Sequence, residues 1–405
     1  MERAGGGLTM DPDNWRDMRG TYPAFLTTDF LGANSYDASA ALTGLNGITS
    51  LPQGPLTIGL PAAAYPNIKL GTIPLPPNLS TQAVANPFHR GYIESWNLSV
   101  ERDLGAGFAG TVSYVGTHEV RQMSNVNINA AAPGTGKAGC LLYPLNTTCN
   151  INEDYPFASS MYSGLQTQVM HRAGAAQIGV VYTYSHAMDY GDNSTYNGLV
   201  FAYPTYWSRD RADAGYDRPH NFQAWTVYEL PFGKGRRFVS TGAASKILGG
   251  WQFNNILSAA SGTPFTVQAS NSILNAPGNT EVANQVLSTV AKPGAIGPGQ
   301  LWFNTSAFAT PASGTFGNVG RNSMRGPGFF EWDTGLFRDF TFSEKYTLQF
   351  RAESIAVTNT PIFGNPGNTI GSSTFGQITS TAVSANGVNT GGGNRVIRLA
   401  LKLSF

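Results

Sequence analysis

Nine stretches between Tyr92 and Phe405 alternate apolar and polar residues, the period of two that marks a β-strand with one apolar face. In the first, Tyr92, Trp96, Leu98 and Val100 alternate with Ser95, Asn97, Ser99 and Glu101; after a tight DLGAG turn, Phe108, Val112 and Tyr114 alternate with Thr111 and Ser113. MYSGLQTQVMHR and AQIGVVYTYSHA form the next pair, the latter with Ile178, Val180, Tyr182 and Tyr184 on one side. NFQAWTVYEL places Phe222, Ala224, Thr226, Tyr228 and Leu230 together, and WQFNNILSAASG returns with Trp251, Phe253 and Leu257, interrupted by Asn255. Phe330, Trp332 and Leu336 then alternate with Glu331, Asp333 and Asp339, and Tyr346, Leu348, Phe350 and Ala352 with Gln349, Arg351 and Glu353. The last stretch, NRVIRLALKLSF, sets Ile397, Leu399, Leu401, Leu403 and Phe405 against Arg398, Ala400, Lys402 and Ser404. A helix would scatter those five apolar residues around its axis.

The connections alternate as regularly as the residues do. Turns near Leu104, Gly174, Gly233 and Ser343 are brief, whereas the stretches 116–160, 188–219, 268–328 and 358–393 are long. Transmembrane β-barrels segregate loop length in this way, with short periplasmic turns and long extracellular loops, and soluble sandwiches do not. The alternation predicts an all-β chain, an antiparallel transmembrane β-barrel in which the polar face lines a lumen and the apolar face meets lipid. Glu331, Asp333, Gln349, Arg351, Glu353, Arg398 and Lys402 fall on the lumen-facing side. Residues 1–90 keep no sustained period and are broken by Pro52, Pro55, Pro61, Pro66, Pro74, Pro76, Pro77 and Pro87. They are expected to be an irregular extracellular loop segment with one short strand near 24–31, and 91–405 the carboxy-terminal barrel portion. With short turns inside, the last strand and the first of the nine both run inward. An even-stranded barrel then has a strand missing, or hidden in 1–90, which makes a partial barrel of about nine to ten strands the expectation.

Composition supports a membrane strand protein over a soluble one. Only 12% of residues are charged, against roughly 25% in ordinary soluble domains, yet the mean hydropathy of −0.15 is not that of a helical membrane protein. No run of ~18 apolar residues is present, which excludes a transmembrane helix, whereas a spanning strand needs only about 9–11 alternating residues. A net charge of +1, with no basic stripe interleaved with aromatics, gives no reason to expect nucleic acid. Cys140 and Cys149 lie close together in a Pro-, Gly- and Asn-rich segment. That placement favours a loop disulfide made in an oxidising compartment over a metal site, with two free thiols as the alternative. MERAGGGLTMDPDNWRDMRG has no apolar signal-peptide core, so a fragment or an internal start is expected.

Several phrases occur in order at barrel spacing: GYIESWNLSVERDL followed by VSYVGTH, DRPHNFQAWTVYELPFGKGRRF, GGWQFNNILSAASGTPFTV, GLFRDFTFSEKYTLQFRAESIAVTNTPIFGNP and the terminal RLALKLSF. Across about residues 85–405 they resemble the carboxy-terminal half of the barrel in TonB-dependent outer-membrane receptors of the Oar-like group. The resemblance implies a bacterial outer-membrane location and energised uptake of a bulky nutrient. Insertion by the barrel-assembly machinery is implied too, with Ile397, Leu399, Leu401, Leu403 and Phe405 as the assembly signal. It also implies coupling to TonB through a plug absent from this chain. Rival readings are a complete smaller porin-like or adhesin barrel, and a soluble secreted β-propeller or carbohydrate-active protein.

Candidate chemistry is sparse. Glu331, Asp333 and Glu353 are carboxylates on adjacent strands, but glycoside hydrolysis is disfavoured against lumen charges balanced by Arg351 and Arg338. Asp189, Asp192, Asn193, Asp210, Asp213 and Asp217 offer oxygen ligands for calcium without EF-hand spacing, so solvated loops are favoured. His89, His118, His171, His186 and His220 show no HExxH or paired spacing and are placed at strand ends. GAGFAG and GTGKAG have suggestive glycine spacing, but neither both follows a strand and opens a helix in a βαβ unit, so phosphate binding is disfavoured. No catalytic residue, metal or cofactor is expected. Tyr203, Tyr206, Trp207 and Trp302 lie in long loops, where they can stack on sugar or siderophore rings, against the alternatives of loop packing or an interfacial girdle.

Overall fold

The computed structural model describes residues 1–11, 81–141, 149–191, 199–297, 299–342, 345–382, 384–385, 388–389 and 391–405. Period-two alternation has become one antiparallel meander of ten long strands. In chain order these are β1 (Glu2–Met10), β2 (Tyr92–Gly105), β3 (Phe108–Asn127), β4 (Ile151–Ala173), β5 (Ala176–Asp189), β6 (His220–Glu229), β7 (Trp251–Ala260), β8 (Phe329–Thr341), β9 (Thr347–Ile355) and β10 (Val396–Ser404). Each pairs with its neighbours in sequence, and β1 and β10 are the two edges of the sheet. The barrel is therefore open in this structure.

Register decides which residues share a face, because directly paired residues project to the same side. One row runs Ala176, Tyr228, Phe253, Leu336, Ala352 and Leu399 across β5 to β10. A second runs Trp251, Arg338, Phe350 and Leu401. On the first half of the sheet Leu98, Tyr114, Leu165 and Tyr184 make the corresponding row. None of these residues is buried, and Leu98 at 53%, Tyr184 at 54% and Leu399 at 72% are exposed. An apolar wall of this width facing outward belongs in hydrocarbon, since no soluble monomer leaves one bare. The opposite face is mainly polar: Ser99, Ser113, Gln166, Thr183 and Asn221 pair across β2 to β6, and Gln223, Asn254 and Gln252 lie on the same side, among Trp225 and Ile256. Trp96 illustrates how the wall accommodates its largest rings. It lies across Gly116 on β3, where an added Cβ would sit 2.2 Å from the indole.

Three expectations are corrected here. The segment 1–90 is not wholly irregular, because the chain opens on β1, paired from Glu2 opposite Val100 to Met10 opposite Tyr92. Its Gly5–Gly7 run hides the alternation and lowers strand propensity, so only pairing with β2 makes it a strand. Thr81–Val84 also extends, parallel to Ile151–Asp154, while the short strand expected near 24–31 lies outside the described residues. Second, about half of the polar stretch 116–160 is strand: β3 runs on to Asn127 and β4 starts back from Ile151. Polar and apolar residues mix on both faces there, and a pattern without contrast carries no period. Third, Arg338 does not balance lumen carboxylates. It pairs with Trp251 and Phe350 and so lies on the apolar face.

Candidate functional site

The long loops fold into one cap at the end of the sheet opposite the short turns. Phe201, Phe265, Val267, Val282, Phe303, Phe308, Val319 and Met324 form its buried nucleus. Phe303 meets Phe308 and Phe375 edge-on at 5.6 and 5.4 Å, a favourable aromatic geometry. Main-chain bonds lace the loops together: Ala283 donates to Val267, Val319 to Ala283, Trp302 to Gly376 and Ile370 to Gln268. The stretch 268–328, expected only as the longest loop, thus supplies most of a small core. Its apolar residues are spaced by Gly, Pro and Asn, so neither period reveals them. On the remoter side Cys140 and Cys149 are joined in a disulfide, with Cα atoms 5.5 Å apart.

Aspartates at strand ends and arginines from the cap fasten the two parts. Arg321 and Asp189, at the end of β5, form an ion pair with side chains 4% and 3% exposed. The Arg321 Nε also donates to the Asp210 carbonyl at 2.7 Å. Arg325 donates to both Asp213 and Asp217, each at 2.8 Å, and to the carbonyls of Asp217 and Gly262. Asp217 in turn accepts from the Ala187 amide at 2.8 Å. Arg218 donates to the Ser261 carbonyl, and Tyr182 Oη lies 2.7 Å from His220 Nδ1. The DRPH phrase is therefore a joint between β5, β6 and the cap. A cavity of about 280 Å³ opens at this joint, lined by Gln166, Thr183, Ser185, Asn221, Tyr216 and Asp217.

Deeper in the cap, Arg209 lies 4.0 Å over the Phe201 ring and donates to the Gly317 carbonyl at 2.6 Å. Glu281 is fully buried; its Oε1 accepts from the amides of Val282 and Gly317. Its Oε2 has no hydrogen-bond partner among the described residues. Burial pushes the Glu281 carboxyl up, against the pull of those two amides and Arg209. Asp210 accepts from the amides of Val200 and Phe201; burial pushes its carboxyl up to about 7, opposed by those amides and then by Arg321 and Arg209. A carboxyl raised in the native state binds its proton more tightly there than in the unfolded chain. Its stabilising contribution is complete below the ordinary carboxylate range and is lost as pH rises through about 7, by an amount on the order of a few kcal/mol. The cap should accordingly resist limited proteolysis better at pH 5 than at pH 8, and Asp210→Asn should flatten that dependence; resistance rising with pH would refute the assignment.

The sequence-predicted residues separate into several places. Glu331, Asp333, Gln349, Arg351, Glu353, Arg398 and Lys402 share the polar face, with Glu353 opposite Arg398 and Gln349 opposite Lys402. Arg351 donates to Gln349 at 2.6 Å and lies 5.0 Å over Phe337, and Asp333 accepts from the Ala356 amide, closing the end of β9. Ile397, Leu399, Leu401 and Leu403 share the apolar face, and Phe405 beyond them is 93% exposed. The four loop aromatics do not form one platform. Trp207 packs on Phe157 at 4.7 Å and donates to the Ala202 carbonyl; Tyr206 packs on Phe316 at 4.9 Å, with Tyr203 6.3 Å away. Trp302 lies against the cap nucleus and donates to the Arg325 carbonyl. All four are half-buried, because rings in a folded loop are its packing material before they are its surface.

The loop aspartates are likewise not solvated as expected: Asp189, Asp210 and Asp217 are buried, while Asp192 and Asn193 lie outside the described residues. His186, Asp213 and Asp217 are the one group among the described residues able to surround a metal ion, with ligand atoms within 4.8 Å of one another. Arg325 already neutralises both carboxylates. His171, His186 and His220 sit near strand ends, but His118 lies mid-strand in β3, 3.3 Å from Glu94, since β3 continues further than its alternation does. Arg321, which is buried, and Arg209 and Arg325, which are half-buried, belong to no pattern the sequence shows. Arg321 and Arg325 stand in an otherwise charge-poor loop, whereas Arg209 lies in the charged stretch 209–218.

Residues 2–398 match the sequence family described as "Outer membrane beta barrel domain". No curated protein matches the chain. Similar solved structures include the outer membrane transporter YddB from Escherichia coli, at 10% identity over 81% of this chain and 34% of that one, with a TM-score of 0.43. The FrpB iron transporter from Neisseria meningitidis (F3-3 variant) matches at 10% identity over 80% and 33%, with a TM-score of 0.38. The ferric citrate transporter FecA matches at 14% identity over 78% and 31%, with a TM-score of 0.35. The chain spans about a third of the length of these transporters. Spanning nearly the whole sequence, the family match makes this chain a member of the outer-membrane β-barrel domain family, located in the bacterial outer membrane.

Proposed function

We propose that the chain forms the carboxy-terminal wall and extracellular cap of a TonB-dependent receptor of the Oar-like group, a non-enzymatic importer of a bulky nutrient. The observation that carries this is the joint itself. A polar wall, with Glu331, Asp333, Gln349, Arg351, Glu353, Arg398 and Lys402 as lumen lining, leads to a cap with its own core, fastened at the strand ends by Asp–Arg pairs, of which Asp189–Arg321 is buried. A passive pore needs only the wall; a folded cap with a polar cavity beneath it suits capture of a ligand before passage. Tyr203, Tyr206, Trp207 and Trp302 contribute stacking through whatever ring face the packing leaves open. TonB would act through a plug lying outside residues 1–405, and the Ile397–Phe405 face would be read by the barrel-assembly machinery.

In the producing bacterium, disrupting the coding sequence should abolish TonB-dependent depletion of at least one large solute from the medium, followed by mass spectrometry. The intact gene should restore it, and a gene with residues 264–327 replaced by a short turn should not. Depletion that continues without TonB, or that the capless gene restores, would overturn the reading; the former would point to a porin-like barrel.

A further inference from the structure

The connection between β6 and β7 is out of proportion to its task. The two strands pair down to Glu229 opposite Gln252, and a hairpin closes with roughly 2–5 residues. On the same rim, β2 joins β3 through residues 106–107 and β4 joins β5 through 174–175. Residues 230–250 instead read LPFGKGRRFVSTGAASKILGG, with Lys234, Arg236, Arg237 and Lys246 and no carboxylate. They include the helix α1 (Gly242–Leu248).

The end of this helix is fastened to the outside of the wall. Arg338 donates to the carbonyls of Lys246 and Ile247, and Trp251 Nε1 donates to the Ile247 carbonyl at 3.1 Å. Arg338 and Trp251 are paired residues of the apolar face, and the Arg338 guanidinium lies 4.3 Å over Phe340 on the same face. The helix end of the segment therefore reaches the lipid side of the rim, while Arg236 turns to Glu229 on the polar side. The segment exposes Phe238, Val239, Ile247 and Leu248. Of its cations, Arg236 is paired with Glu229 and Arg237 lies over Phe238; Lys234, Arg237 and Lys246 have no carboxylate partner among the described residues.

Exposed apolar side chains continuous with a lipid-facing wall, bordered by unneutralised cations, match the surface of an anionic bilayer leaflet. We infer that residues 230–250 are an interfacial anchor that binds anionic phospholipid headgroups of the leaflet on the short-turn, periplasmic side. The apolar residues enter the acyl boundary, and Lys234, Arg237 and Lys246 contact the phosphodiesters. The orientation follows the rule that barrels keep their short turns in the periplasm; the inference is independent of what the barrel transports.

The test uses the full chain, folded into phosphatidylcholine nanodiscs, with trace spin-labelled phosphatidylglycerol or phosphatidylcholine reporting the motionally restricted fraction. A preference for phosphatidylglycerol of roughly threefold at low salt is expected, falling toward parity at about 0.5 M salt. Lys234→Gln/Arg237→Gln/Lys246→Gln should abolish it, whereas Lys292→Gln/Arg395→Gln, on the long-loop side, should retain it. A heat-modifiable gel shift confirms that each variant is folded, and the salt series on the wild-type chain stands even if the triple variant is not. Parity in the wild type, a preference insensitive to salt, a preference surviving the triple substitution, or selective retention of lipopolysaccharide instead would each overturn the inference.

Discussion

Arg321→Met is expected to loosen the extracellular cap by about 3–5 kcal/mol while leaving the strand sheet folded. The reasoning rests on burial more than on the attraction between the charges. Asp189 and Arg321 are almost completely enclosed, so removing the guanidinium leaves a carboxylate in the interior without its partner. It also frees the Asp210 carbonyl that Arg321 satisfies. Removing one member of such a pair is far worse than replacing both. The double variant Asp189→Leu/Arg321→Met should therefore recover part of the loss. Limited proteolysis within 199–219 and 261–328 measures the effect on the cap, and the heat-modifiable gel shift reports on the sheet. Equal protease resistance in wild type and Arg321→Met would show that the pair does not hold the cap down.

How much of this was legible beforehand follows from where contrast exists between faces. From Tyr92 onward every membrane-length strand shows itself, because lipid on one side and water on the other force opposite chemistry onto neighbouring residues. Leu336 and Gly335 are adjacent in sequence, yet one is in the row of Phe253 and the other in the row of Asn254. Along 117–127 and 151–160, where buried Asn125, Val126, Asn127, Ile151 and Asp154 mix polar and apolar side chains, that contrast vanishes and the strands read as loop. Strand parity calls for one more strand, but its place at β1 is not marked by the pattern, because Gly5, Gly6 and Gly7 have no side chains to alternate. In the cap, Phe265, Val282 and Phe303 converge from distant positions, a three-dimensional coincidence that no local period records. Asp189 and Arg321 are 132 residues apart, so no local pattern shows their pairing, although aspartates crowd the stretch 189–217.

Leu336→Arg should cost about 2–4 kcal/mol in the folding free energy measured in bilayers, the range for a cation near the midplane on the lipid face of a barrel. Leu336 lies between Phe253 and Ala352 in the apolar row, with no carboxylate among those partners to receive the charge. The same residue placed one row away should be harmless. Asn254 projects to the polar face between Val227 and Gly335, so Asn254→Arg should stay within about 0.5 kcal/mol of wild type. Urea unfolding of both variants in phosphatidylcholine vesicles gives the comparison. Similar costs at the two positions would mean that the faces have been assigned without a physical difference between them.

The central claim, that the alternating residues separate lipid from water, is tested most directly by a nitroxide scan of β10, residues 396–404. Cys140 and Cys149 are joined to each other and do not compete for the label, which is introduced at one position at a time in the full chain in bilayers. Collisions with oxygen, which concentrates in hydrocarbon, should peak at Ile397, Leu399, Leu401 and Leu403. Collisions with a water-soluble nickel chelate should peak at Arg398, Ala400, Lys402 and Ser404. Two such profiles, out of phase with a period of two, are the predicted result; profiles without that period, or with the phases exchanged, would contradict the account.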